Sequence, residues 1–359
     1  MITEQMPETV SKEMDQSRRP DPALLQYIYE QGWFKLFVPE ELGGRMTPLP
    51  EALEIFEQAA ALDGNLGWLV TIGSGGGMFT AYMQTETARE QFSPANAVVA
   101  GSGAPTGIAR PADGGYYVSG EWKYCSGSTY ATLFTANCRI TGASGEADEQ
   151  SPIRSFIFRP DQVDIVPDWN AFGLKATESH TIRVRDAFVP ASHTFSLEEQ
   201  PGYQEELIYR YPFLPFAEVS FAAMTLGLGR HFLEEAAALA ERNQAGWEAA
   251  APGRYTRVRE RITRMEERLA VARSRFYDAA RASWEELAQD GSLPDSTQQL
   301  VGRLSKQAAS IAAGCAADLF GYLGMSAIRE DAAVNRIWRD LQTASQHGLL
   351  VSYEEDSLN

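Results

Sequence analysis

The sequence predicts a mainly α-helical chain with a central β-barrel: a helical domain over residues 1–95, the barrel over 96–200 and a four-helix bundle over 201–359. Three observations predict it. Apolar residues recur at helical spacing from about residue 22 to 92, β-formers broken by turn dipeptides replace them from about 97 to 196, and helical periodicity returns from about 205. With 359 residues the chain is also too long for one ordinary core.

The opening MITEQMPETVSKEMDQSRRP has no apolar stretch behind a basic head, so it is not a signal peptide and reads as a loose polar leader. Leu24, Leu25, Ile28 and Tyr29 then share one helix face. Pro48 and Pro50 open a second helix with Leu53, Ile55, Phe56, Ala59 and Ala60 at helical spacing, and the glycine pair of PEELGG (39–44) allows a tight reversal between the two. In the middle region, Tyr116–Val118 with Trp122 and Tyr124, SFIF (155–158), VDIV (163–166) and HTIRV (180–184) read as short strands between Gly, Pro, Asp and Asn turns. Strands of this length suggest a compact barrel or sandwich of about 100 residues. The clearest helix runs from 254 to 289, with Val258, Ile262, Met265, Leu269, Ala272 and Phe276 on one stripe and Arg and Glu on its other faces. Pro294 and Asp295 start another, with Leu300, Leu304, Ile311, Cys315 and Leu319 inward and Gly321 and Gly324 at its end. Segments 221–242 and about 331–346 complete a four-helix bundle.

Lys plus Arg is 31 against Asp plus Glu at 48, so the net charge is −17, which repels nucleic acid and anionic lipid alike. No uncharged apolar run approaches the ~20 residues that span a bilayer, and the expected compartment is the cytoplasm. Cys125, Cys138 and Cys315 lack paired spacing, and His180, His193, His231 and His347 lack HxH or HExxH spacing, so neither a disulfide framework nor a metal site is expected. The glycine run 73–77 has neither the Rossmann nor the P-loop spacing; it reads as a helix-to-helix junction where backbones pack closely, or else as a floor under a flat ligand.

The densest polar and small constellation is GSGAPTG (101–107) followed by GGYYVSGEWKYCSG (114–127), two small-residue loops flanking one pair of strands. Exposed backbone groups there suit the edge of a planar heterocycle, and Trp122 and Tyr124 could stack on its faces; a plain hairpin accounts for the same residues.

The order of these motifs resembles the acyl-CoA dehydrogenase superfamily, including its branch of two-component flavin monooxygenases that oxidise phenols, thiophenes and amino-sugars. The similar elements are PEELGG, LDGNLGW (62–68), AGSGAPTGIA (100–109), GGYYVSGEWKYCSG, GLKATESHTIRVRDAFVP (173–190) and RIWRDLQTASQH (336–347), covering about residues 23–347. The resemblance implies an N-terminal helical domain, a β-barrel and a C-terminal four-helix bundle, assembled as a homodimer or homotetramer. It implies a flavin, FAD or FMN, between barrel and bundle. Gly101, Ser102 and Gly103 would run along it, and Tyr124, Cys125 and Ser126 would lie beside its isoalloxazine. Ser126 falls on the family's hydroxyl position near O4 and N5, where a hydroxyl can favour one redox state. Tyr124 replaces the dehydrogenases' usual Trp, and Cys125 is more simply a small buried residue. Ser179 and His180 match a strand that faces the flavin ring or phosphate. Arg339, with Asp340, would form structural ion pairs or help position the flavin tail.

The chain departs from the dehydrogenases at the segment resembling RDxxxxxxYEGT. Arg339 and Asp340 match, but His347 then falls on the Tyr and Gly348 on the Glu that removes the α-proton; the next acids are Glu354, Glu355 and Asp356. Losing that carboxylate removes the general base of a dehydrogenase. RDLQTASQH resembles the monooxygenase branch instead, where a His sits against the flavin, so His347 is the candidate acid/base; a helix-capping His before Gly348 is the structural alternative. The family's Arg-x-x-Phe-Gly element is replaced by ERNQAGWEAAAPGRYTRV (241–258), which fits a weakly or transiently held flavin. Three functions follow: a monooxygenase using O2 and reduced flavin from a separate reductase on a small organic substrate; an acyl-CoA dehydrogenase-type FAD enzyme acting on an acyl thioester; or a flavin-less binding and scaffolding relative. Pocket shape would be set by loops such as 146–150 and 197–203.

Overall fold

In the computed structural model, which describes residues 6–142, 146–199 and 205–351, the N-terminal third folds into α1 (Glu8–Ser17), α2 (Pro22–Glu30), α3 (Leu49–Leu62), α4 (Gly64–Gly75) and α5 (Thr85–Phe92). The starts follow local chemistry. Asp21 caps α2 by accepting the Leu24 N–H at 3.0 Å with Pro22 in the first turn, and Asp63 caps α4 by accepting from Asn65 and Leu66 at 2.8 and 3.2 Å.

The loose polar leader is corrected by α1. It buries Ser11 and Met14, and its acids pair with the far end of the chain: Glu8 with Arg336 at 2.7 Å, and Asp15 with Arg339 at 3.0 Å and Lys175 at 3.2 Å. Charges that look solvated in a local window are matched here by a partner 324 positions away.

The central region forms one seven-stranded sheet of β1 (Val99–Ala112), β2 (Gly115–Cys125), β3 (Leu133–Ile140), β4 (Ile153–Phe158), β5 (Asp164–Val166), β6 (His180–Pro190) and β7 (Thr194–Phe195), in the order β5-β6-β2-β1-β3-β4-β7. The expected barrel is not what the ladder shows. Its edges are β5, of three residues, and β7, of two, and closure requires edge strands long enough to pair along their length. Trp122, Phe134, Phe156, Phe158 and Ile182 pack into the sheet's own core. The small-residue segment after residue 100 is part of β1 rather than a loop. It pairs parallel with β3, with a register shift between Ser102 and Gly107.

The C-terminal region is α6 (Phe213–Ala250), α7 (Arg254–Asp290), α8 (Asp295–Leu323) and α9 (Ala333–Ala344). Helix α6 starts at Phe213, after Pro212 and well before residue 221; residues 215–229 are buried on every side, which erases the amphipathic period that would have marked it. On α8 the inward stripe is Val301, Ser305, Ala308, Ala312, Cys315 and Leu319, whereas Leu300 stays 40% exposed. Small residues let α6 approach: a Cβ on Gly229 would stand 2.9 Å from that of Ala312. One apolar core runs through α2–α4 and α6–α9, including Phe56, Leu66, Phe216, Phe232, Phe276 and Leu319. The run 73–77 is a junction where α4 continues as a 3-10 turn, with Gly73 against Phe34 and Gly76 against Val99.

Candidate active site

Two backbone irregularities place the predicted site residues. In β2 the pairing with β6 shifts between Trp122, opposite Ile182, and Cys125, opposite His180. Tyr124 sits in that bulge at φ +66° and is 71% exposed. Leu174 and Glu178 also hold positive φ, at 49° and 45°. Left-handed backbone at non-glycine residues costs roughly 1–3 kcal/mol each and concentrates where the surroundings need a particular side-chain placement.

What those bends bring together is a line of hydroxyls. Trp68 of α4 donates its indole N–H to Ser126 Oγ at 2.9 Å. Ser126 Oγ lies 2.7 Å from Ser179 Oγ, which lies 2.7 Å from Thr177 Oγ1, and Thr177 donates to the Leu174 carbonyl at 2.9 Å. The N–H of Leu174 in turn donates to the buried carboxyl of Asp340 on α9, whose pKa burial raises to about 7.

His347 follows α9 and closes the other side. Its ring stacks on Phe221 at 3.9 Å between centroids and meets Trp68 edge-on at 5.8 Å, while Trp68 and Phe221 lie 5.4 Å apart. Burial among these rings lowers its pKa to about 4, so the imidazole is neutral at pH 7. Its Nδ1 accepts from the Leu349 N–H at 3.4 Å, which leaves the proton on Nε2.

The sign of that shift gives a stability prediction. The unfolded chain takes up a proton near 6.5 that the folded His347 refuses until about 4, so stability falls as pH drops through that window. The loss amounts to roughly 3 kcal/mol at full protonation of the unfolded state. Urea midpoints of His347→Phe between pH 7.5 and 4.5 should decline less than those of the unaltered protein; parallel declines would contradict the buried neutral imidazole.

The remaining predicted residues separate. Cys125 turns its thiol into the sheet core, donating toward the Trp122 carbonyl at 3.4 Å, and burial pushes it up to about 12, so only its backbone faces the site. Gly101 and Ser102 pair with Thr135 and Ala136, and the Gly103 carbonyl accepts from Asn137 at 2.9 Å. His180 accepts the Trp169 N–H on Nδ1 at 3.0 Å, and Trp169 meets Tyr124 edge-on at 6.3 Å. Arg339, read as either a structural ion pair or a hold on the flavin tail, has its guanidinium taken up by Asp15, Asn335 and the Phe172 carbonyl. Sequence reasoning gave no role to Trp68, Phe221 or Thr177. Trp68 carried a signal, the one indole donor on a buried, glycine-rich helix, since buried Trp needs an acceptor.

The residues present fit a planar redox heterocycle. Tyr124 is held out by strained backbone with most of its ring uncovered, a Cβ on Gly103 would meet nothing within 4 Å, and Ser126 Oγ, with the Trp68 indole and Ser179 Oγ as its two partners, keeps hydrogen-bonding capacity for a third. Among the described residues, no cluster of three or more His, Cys, Asp or Glu could hold a metal ion, and no helix is long and apolar enough to cross a membrane.

This arrangement, N- and C-terminal helices packed into one body beside a sheet, with the candidate site where β2, α4 and the end of α9 meet, is that of a known class. The family model for the acyl-CoA dehydrogenase N-terminal domain matches residues 2–98, and that for the acyl-CoA dehydrogenase C-terminal domain matches 219–352. The chain belongs to the acyl-CoA dehydrogenase superfamily. Within it, the chain is 27% identical to an indole-3-acetate monooxygenase of Pseudomonas putida, over 95% of this chain and 87% of that one. Its fold matches the crystal structure of 3-HSA hydroxylase from Rhodococcus sp. RHA1 at a TM-score of 0.87, with 21% identity over 96% of this chain and 89% of the other. It also matches XiaF from Streptomyces sp., solved with FADH2 and glycerol, at a TM-score of 0.85, with 24% identity over 96% and 88%.

Proposed function

We propose that this chain is the oxygenase component of a two-component flavin-dependent monooxygenase, using FAD or FMN reduced by a separate reductase, and O2, to oxidise a small organic substrate. The observation that carries the reading is the neutral His347, stacked on Phe221 and against Trp68 beside Ser126, in a segment where the dehydrogenases' base position is taken by Gly348. The naming of the relatives supports it. Reduced flavin, when bound, supplies the electrons that activate O2. Tyr124 and Ser126 would hold its ring, by stacking and by a hydrogen bond. Trp68 and Phe221 exclude water from the cleft, which strengthens every polar contact inside it. His347 Nε2–H is a donor that can hold or return a proton at a substrate oxygen or nitrogen, and its low basicity keeps it in that form across neutral pH. Walls made of three aromatic rings suit a flat substrate such as an indole or a phenol.

The test is to add FAD or FMN, oxidised and anaerobically reduced, to the purified protein, recording the visible spectrum and melting temperature. Oxygenation of indole-3-acetate and resorcinol probes is then assayed with reduced flavin and air. Saturable binding of reduced flavin is expected. His347→Ala should retain that binding within about threefold while oxygenation falls roughly 10²–10⁴-fold. A protein purified yellow and bleached by an acyl thioester would point to the dehydrogenase alternative, and one that gains no thermal stability from saturating flavin would be the scaffold relative.

A further inference from the structure

Around His347, Trp68 and Phe221 the side-chain donors are spent on the protein itself. Thr71, three residues after Trp68 and so on its face of α4, donates to the Gly67 carbonyl at 2.7 Å. Thr225, four residues after Phe221 on α6, donates to the Phe221 carbonyl, also at 2.7 Å. At the end of α9, Thr343 and Ser345 donate to the Arg339 and Gln342 carbonyls at 2.9 and 3.0 Å. Each of these hydroxyls carries a single proton, so none is left to offer. The Trp68 N–H goes to Ser126, the hydroxyl that the flavin reading gives to the ring. What remains for a substrate is the Nε2–H of a neutral imidazole.

Positive charge is held elsewhere too. Among the described residues the buried cations are Lys35, Arg336 and Arg339. Lys35 donates to the Leu42 and Phe92 carbonyls at 3.1 and 2.6 Å, Arg336 is matched by Glu8, and Arg339 by Asp15. Residues 1–5, 143–145, 200–204 and 352–359, outside the described ones, include no Lys, Arg or His, so no side chain there brings a positive charge. Burial alone moves the His347 pKa, with no charged side chain adding to it, whereas on His231 of α6 burial is joined by Asp63, Arg336, Glu8 and Arg230. We infer that the cleft selects uncharged arenes carrying a neutral oxygen acceptor and discriminates against the same arenes bearing a carboxylate. The inference rests on the flavin reading above and names the substrate class of that site. A carboxylate entering the cleft would exchange its water for one neutral donor, and an enclosed charge without a counter-charge or a full set of hydrogen bonds is costly. A phenol or carbonyl oxygen asks for no more than the single Nε2–H. The net charge of −17 also repels an anion from outside, but salt screens that part and leaves the cleft's own part in place.

The experiment sets acids against neutral counterparts of the same skeleton: indole-3-acetate against indole-3-acetamide, and 2,4-dihydroxybenzoate against its methyl ester and against resorcinol. Dissociation constants are measured anaerobically on the intact protein saturated with reduced FMN or FAD, at about 0.05 and about 0.5 M salt, so that long-range repulsion is screened in one series and not in the other. The kcat/KM for oxygenation of each compound is then measured in air. Each neutral member should bind roughly 10–100-fold more tightly than its acid at both salt concentrations, with the same ratio in kcat/KM. The methyl ester is larger than the acid and separates charge from bulk. An ester excluded along with its acid would mean that the cleft is merely small, and a preference that vanishes in high salt would belong to the overall charge of the protein. Either result overturns the inference, as do acids that bind as well as their neutral partners, or failure of every compound to bind the flavin-loaded protein. The flavin reading survives each of these. A protein that binds no reduced flavin overturns that reading and this inference together.

Discussion

Asp15→Ala is expected to lower the unfolding free energy by about 3–5 kcal/mol, the cost of removing one partner from a buried ionic group. The Asp15 side chain is 11% exposed and meets Arg339, 9% exposed, and Lys175, 14% exposed, so its loss leaves two enclosed cations without a counter-charge. Helix α1 is held to α9 through this carboxylate and through Glu8 on Arg336, so hydrogen exchange should show α1 amides losing protection first. Asp161→Ala, which breaks an exposed surface pair with Arg159, should leave the urea midpoint where it is. If both variants behave alike, the correction of residues 8–17 from loose leader to anchored helix fails.

The second large effect lies in the small-residue stretch of β1. Gly101→Ala would place a Cβ 2.0 Å from the Thr135 carbonyl oxygen, inside the parallel β1–β3 pairing. Backbone cannot swing aside as a side chain can, so the two strands must part, with a loss of about 3 kcal/mol or more. Gly103→Ala, two residues on and in the register shift, meets nothing within 4 Å and should change stability by less than about 1 kcal/mol. Thermal melts of the pair decide it: equal losses would mean that the close approach at residue 101 is not what the strand requires.

These two glycines also show where sequence reading reached its limit. A Gly- and Pro-rich stretch reads as a loop by every local rule, yet β1 is a strand because its contacts with β3 are made by backbone, for which small side chains are an advantage. The first half of α6 is hidden by burial on all sides, while α7, with one buried stripe and Arg and Glu elsewhere, spans Arg254–Asp290, almost to the residue expected. Ser126 and His347 could be singled out from motif order, and the structure joins both to Trp68. The line from Ser126 to Thr177 could not, because it depends on left-handed φ at Leu174 and Glu178, residue types that no rule assigns to that conformation. Arg339 was legible from its match to the family's Arg-Asp segment, but its partner on α1 lies 324 positions away and gives no local sign. Glu354, Glu355 and Asp356 lie outside the described residues, as does part of the loop 197–203.

The central claim is that an isoalloxazine ring is held at the junction of β2, α4 and the end of α9. A crystal structure of the protein grown anaerobically with reduced FAD or FMN tests it most directly. The account predicts the ring with N5 within hydrogen-bond distance of Ser126 Oγ, Tyr124 against the flavin and the His347 ring facing the same cleft. A ring bound elsewhere, or Ser126 enclosed by protein alone at saturating flavin, would contradict it.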